Sequence, residues 1–233
     1  MFLAIGVSGQ NLKPNNVNIL STDKLSKGMK FYGLSTLGPS GHTKFTGKIL
    51  GVLNGSIGPG HKWIIAAIDG NDFRETGVIA GQSGSPVFVK MNGKKYFIGT
   101  VSYAEEFPKN AIAYLTPANE LIESGSYSPE TAPATSPSLA SKKVSEFLES
   151  QGQMEMGRLM ERGVISVSTL SAPPPKKALP KVTSGDVLSV QLAYGDFNFG
   201  SFGTVSYVNG SEIYLFGHPM FQLGPVEYRL APA

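Results

Sequence analysis

The chain has no cysteine, only three histidines and one tryptophan, and just 16% of its 233 residues are charged. Without cysteine there is no disulfide, no thiolate nucleophile and no zinc–thiolate site. A histidine-built metal centre would have to recruit nearly every imidazole, and no His-Glu-x-x-His element is present, so a metal hydrolase is disfavoured and no cofactor is expected. The net charge of +3 comes from scattered residues, which argues against a nucleic-acid partner. No stretch reaches the ~20 apolar residues that span a bilayer. The apolar start, Met1 to Val7, lacks the basic flank and the length of a secretory signal and reads as a plain chain start or an initial strand, with the remnant of a trimmed signal as the alternative.

What is present is a hydrophobic share of 41% with 28 glycines and 16 prolines, a composition of many short strands and frequent turns. Three zones follow. Residues 1–126 form a β half, with strands expected at Lys44 to Leu53, Lys62 to Ile68, Val87 to Val89, Tyr96 to Val101 and Ala111 to Leu115. Asn92-Gly93 marks a hairpin between two of them, because both central residues of a type I′ turn need positive φ. A short helix is expected at Thr116 to Ile122, capped by Thr116 with Pro117 in its first position. Residues 127–182 are Pro-rich, a linker or arm with a helix expected near 139–151. Residues 183–233 return to β character, with a strand at Val187 to Leu192 and a second Asn-Gly hairpin at Asn209-Gly210. The expected fold is therefore mostly β, the last piece completing a barrel or sandwich begun by the first. After Tyr228 to Ala233 no closing strand is evident, the pattern of a fragment.

The segment Gly77 to Val87 carries the strongest chemical signal. Ser83, flanked by Gln82 and Gly84 just ahead of a strand, can sit on a tight turn with its hydroxyl exposed. The N–H groups of Gly81 and Ser83 can converge on one point, and two such donors form an oxyanion hole, each contributing roughly 10²–10³ in rate. Serine needs a base, and His42, His61 and His218 are the candidates. His42 and His61 lie in polar turns and read as loop histidines. His218, between Gly217 and Pro219 at the end of a hydrophobic run, has the setting of a held imidazole. An orienting carboxylate could come from Asp69 or Asp72, while Asp186 and Asp196 each follow a glycine and read as turn residues.

These residues, in order, resemble the SpoIVB-type serine peptidases, a family named for a bacterial sporulation peptidase. The resemblance rests on Leu25 to Lys30, Ile49 to Leu53, Gly58 to Gly60, Glu75 to Val87, Gly99 to Tyr103 and Thr116-Pro117. In the last zone it rests on Gly203 to Tyr207, Phe216 to Pro219 and Leu223 to Val226. It implies a trypsin-like, two-part β-barrel, in which the Pro-rich, partly helical segment read from the sequence would be an insertion between the β pieces. It further implies a serine endopeptidase with Ser83 as nucleophile, His218 as base, Asp69 as orienting acid, and Gly81 and Ser83 as oxyanion donors. The substrate would be a protein or peptide, the setting a bacterial envelope or exported one, and self-processing within 127–182 is expected. Gln82 stands where the family has Met, and the histidine motif follows the serine motif instead of preceding it. Both departures suit the competing reading, an inactive peptidase-fold module for binding or assembly.

Overall fold

The computed structural model describes residues 3–6, 18–36, 41–55, 61–70, 73, 76–105, 111–126, 166–168, 181–193, 198–210, 212–218 and 229–232. The helix expected near 139–151 lies outside the described residues, as do Asp72 and Asp196. No described helix is long and apolar enough to cross a membrane.

The first sheet holds β2 (Asn18–Ile19), β3 (Lys30–Thr36), β4 (His42–Asn54), β5 (Lys62–Asp69), β6 (Pro86–Met91), β7 (Lys94–Ala104) and β8 (Ile112–Pro117). Its order is β2-β7-β6-β3-β4-β5-β8, and β8 pairs back onto β7. That last pairing closes a six-stranded antiparallel barrel, with β2 added parallel to β7 outside the ring. The sequence dictates the wall through alternation: in β4, Phe45, Gly47 and Ile49 are buried while Lys44, Thr46, Lys48 and Leu50 are turned outward. Ile49, Ile64, Ile98 and Leu115 meet inside with no exposed surface, each fully buried side chain contributing roughly 1.5–3 kcal/mol. The β6–β7 hairpin turns on Asn92 (φ 50°) and Gly93 (φ 75°), between paired Met91 and Lys94, as the Asn-Gly signal requires.

The second sheet runs β1 (Leu3–Gly6), β12 (Glu212–Leu215), β11 (Asn198–Asn209), β10 (Val187–Ala193) and β13 (Arg229–Pro232), with β9 (Ser166–Ser168) on β11. The N-terminal strand thus joins the C-terminal sheet. Val190, Val205, Ile213 and Leu215 form its buried core. The two sheets share a third cluster in which Phe88, Phe97 and helix α1 (Ala118–Glu123) pack against Tyr214, and the rings of Phe97 and Tyr207 stack at 5.7 Å.

Four local expectations are corrected. Thr116 does not cap α1: it is still in β8, its hydroxyl is recruited by the carbonyl of Gly217, and Pro117 occupies the cap position with no side-chain bond. The β11–β12 hairpin is present, but Asn209 is itself paired with Glu212, so the turn does not centre on Asn209-Gly210. The C-terminal end does supply a strand, because Arg229–Pro232 pairs antiparallel with β10. β9 falls inside the zone expected to be linker and helix; the alternation of Ile165, Ser166, Val167 and Ser168 is the signal that marks it.

Candidate active site

Ser83 sits on a loop fixed from three directions. Within the loop, the N–H of Gln82 donates to Ile79 O (3.2 Å), the N–H of Ile79 donates to the Gln82 side-chain oxygen (3.0 Å), and the N–H of Ser85 donates to Gln82 O (2.9 Å). From the barrel wall, Val101 O takes the N–H of Gly84 (2.7 Å) and Ser85 O takes that of Val101 (3.0 Å). From the second sheet, Thr204 donates twice, its N–H to Ser83 O (2.8 Å) and its hydroxyl to Gly81 O (2.7 Å). With these carbonyls engaged, the N–H groups of Gly81 and Ser83 have no backbone acceptor among the described residues. The half-buried Ser83 hydroxyl donates to Ser102 O on β7 at 3.4 Å.

Gly84 marks the closest approach of the loop to the second sheet. A β-carbon there would lie 1.9 Å from Thr204 O and 2.8 Å from the N of Phe216, at a φ of +98°. Phe216 and Gly217 carry the chain from β12 to His218. The N–H of Gly217 donates to Leu215 O (2.9 Å), closing a three-residue γ-turn around Phe216 at φ 69°. The positive-φ form of this turn is rare and strained. Beyond it, the His218 ring rests 5.2 Å from the Tyr103 ring and 5.8 Å from that of Phe216. Tyr103 in turn meets Trp63 edge-on at 5.3 Å.

Ser83 and His218, distant in sequence, thus each touch β7 at neighbouring residues, Ser83 at the carbonyl of Ser102 and His218 at the ring of Tyr103. Asp69 is placed differently. Tyr103 pairs with Tyr114 of β8, Tyr114 with Ile65 of β5, and Asp69 stands four residues beyond Ile65 at the exposed end of that strand, roughly 13 Å further along at ~3.3 Å per residue.

The other histidines have acidic partners that no local sequence signal announces. His42 opens β4, and its Nε2 is 2.6 Å from Asp186 Oδ1. Asp186 is a turn residue, as expected, its other oxygen accepting from the N–H (2.6 Å) and hydroxyl (3.1 Å) of Thr183. The same residue is also half of a histidine–carboxylate contact between the two sheets, a role with no local signature because its partner is 144 residues away. His61 pairs with Glu120 of α1 at 3.1 Å. No protein-family model and no curated protein matches the chain.

Proposed function

We propose that the chain is a serine endopeptidase of SpoIVB type, with a trypsin-like division of labour between its two β pieces. Ser83 Oγ attacks the peptide carbonyl, His218 takes the hydroxyl proton and returns it to the leaving amine, and water then releases the acyl group by the reverse sequence. The N–H groups of Gly81 and Ser83 stabilise the developing oxyanion. The observation that carries this reading is the meeting of the serine loop and the His218 turn on Ser102-Tyr103, with Gly84 against the N of Phe216. The family pattern assigns the orienting acid to Asp69, and its position along β5 lends that assignment no support of its own. The substrate is a protein or peptide, and an exported or envelope setting in a bacterium comes with the same resemblance.

A serine-directed fluorophosphonate probe tests the assignment. Labelling of the wild type and none of Ser83→Ala is expected; equal labelling of both rejects Ser83 as the nucleophile. Self-processing belongs to the same proposal, the Pro-rich 127–182 segment being the expected place of cutting. Intact mass after long incubation should fall in the wild type and hold in Ser83→Ala, and unchanged mass in both removes the idea.

The second reading, an inactive binding or assembly module on the same fold, is favoured by one observation: the Ser83 hydroxyl is directed at the carbonyl of Ser102. Peptide capture with no labelling and no hydrolysis would select it.

A further inference from the structure

The turn that carries His218 is costly to maintain. Phe216 is a bulky residue at φ 69°, a genuine outlier for such a side chain, and Gly217 follows at the same φ. Conformations of this kind persist only where their surroundings over-determine them. Two buried hydroxyls supply that determination. Thr116 Oγ1 lies 2.6 Å and Ser102 Oγ 2.8 Å from the carbonyl oxygen of Gly217, and the two hydroxyls are 2.7 Å from each other. Each hydroxyl has one proton to give. Both can be spent on the Gly217 oxygen, or one hydroxyl can donate to the other, which then donates onward; Thr100 O, 3.2 Å from Ser102 Oγ, is the longer alternative acceptor. The shortest of these contacts to a carbonyl are the two on Gly217 O, so the carbonyl one residue before His218 is gripped from the barrel wall. The N–H of Thr116 donates to Ser102 Oγ at 3.2 Å and so fixes the grip itself. There is no slack behind it, since a β-carbon on Gly217 would stand 2.4 Å from Thr100 Cγ2 and 3.0 Å from Ser102 Oγ.

We propose that Ser102 and Thr116 are positioning residues for His218: as a hydroxyl pair from two adjacent barrel strands they hold the Gly217 carbonyl, and through it they set the direction of the imidazole. That the direction serves proton transfer from Ser83 rests on the peptidase function proposed for the same site; that the pair sets the direction does not. The arrangement makes the histidine answer to the barrel although it is covalently part of the other sheet.

The test compares Thr116→Val, which keeps the shape and removes the hydroxyl, with Thr116→Ser, which restores it, and adds Ser102→Ala. Two readouts are taken on the full chain. One is the ring signal of His218 in carbon-resolved NMR across pH, assigned by its loss in His218→Gln among only three histidines. The other is the fluorophosphonate labelling rate of Ser83 across the same range. Thr116→Val is expected to move the His218 signal and its titration and to slow labelling at least tenfold. Thr116→Ser should stay within about twofold of the wild type, and Ser102→Ala should fall between them. An unmoved His218 signal in both Thr116→Val and Ser102→Ala overturns the proposal, and so does equal loss in Thr116→Val and Thr116→Ser. If Thr116→Val does not fold, Ser102→Ala decides by the same ring signal. If wild-type Ser83 is never labelled, the peptidase function fails, while the ring signal still decides whether the hydroxyl pair directs His218.

Discussion

The β-carbon that Gly84 lacks would stand 1.9 Å from the carbonyl oxygen of Thr204, so the serine loop and β11 meet at a separation that only glycine allows. The neighbour is backbone, held in a paired strand, and cannot swing aside. The φ of +98° adds strain for any L side chain, about 1–2 kcal/mol. Gly84→Ala is therefore expected to destabilise the fold by about 3 kcal/mol or more. Urea unfolding measures it; a loss below about 1 kcal/mol would mean that the loop leaves β11 freely.

Thr204 reaches the same loop by its hydroxyl. It is fully buried, and its bond to Gly81 O fixes the peptide plane that precedes the Ser83 turn. Thr204→Val leaves that carbonyl without its donor, at a cost of about 1–3 kcal/mol. Labelling of Ser83 should slow at least tenfold in Thr204→Val and recover in Thr204→Ser. Equal rates in all three proteins would deny the hydroxyl any part in shaping the loop.

The legible parts of the fold were those with local signals. Alternation in β4, the apolar run Trp63 to Ile68 in β5, the Asn92-Gly93 turn and the Gly-Gln-Ser-Gly-Ser-Pro loop each declare themselves within a dozen residues. Illegible were relations whose energy comes from long-range pairing. Thr116 has the residue type of a helix cap, yet a carbonyl 101 residues away takes its hydroxyl. Asp186 looks like a turn residue and is one, but His42 is invisible to any window around it. The same limit covers the orienting acid, because family spacing points to Asp69 while sheet register decides where Asp69 stands.

Gln82, next to the proposed nucleophile, is 2% exposed, and its side-chain nitrogen is buried without a hydrogen-bond partner among the described residues, while its oxygen accepts from Ile79. Replacing it with Met, the residue that the family pattern places there, gives up one bond and removes one orphaned donor. These opposing terms are of similar size, about 1 kcal/mol against about 1–3 kcal/mol. Gln82→Met is expected to leave stability unchanged or raise it by up to about 2 kcal/mol in urea unfolding. A loss above about 2 kcal/mol would show that the bond to Ile79 is what keeps the loop in shape.

Tyr214 gives the fold a limit at high pH. Its phenol is pushed up to about 12, first by burial, then by the charge of Glu212, the hydrogen bond to that carboxylate, and nearby Tyr207. In the unfolded chain the same group ionises near its ordinary value of about 10. Between those values the unfolded state releases a proton that the folded state keeps, so alkali favours unfolding. The contribution is whole below about pH 10 and is lost as pH rises from there through about 12. Burial also raises Tyr32, Tyr103 and Tyr207, and Tyr114 is raised first by its hydrogen bond to Glu105, so much of the tyrosine absorbance change should come late. In Tyr214→Phe the last step of that titration should vanish, and the decline in stability across the same pH window should become shallower than in the wild type. Identical slopes in the two proteins would mean that Tyr214 ionises as readily folded as unfolded, and the packing of its ring between β11, β12 and α1 would then be looser than the contacts with Phe88, Phe97 and Leu121 require.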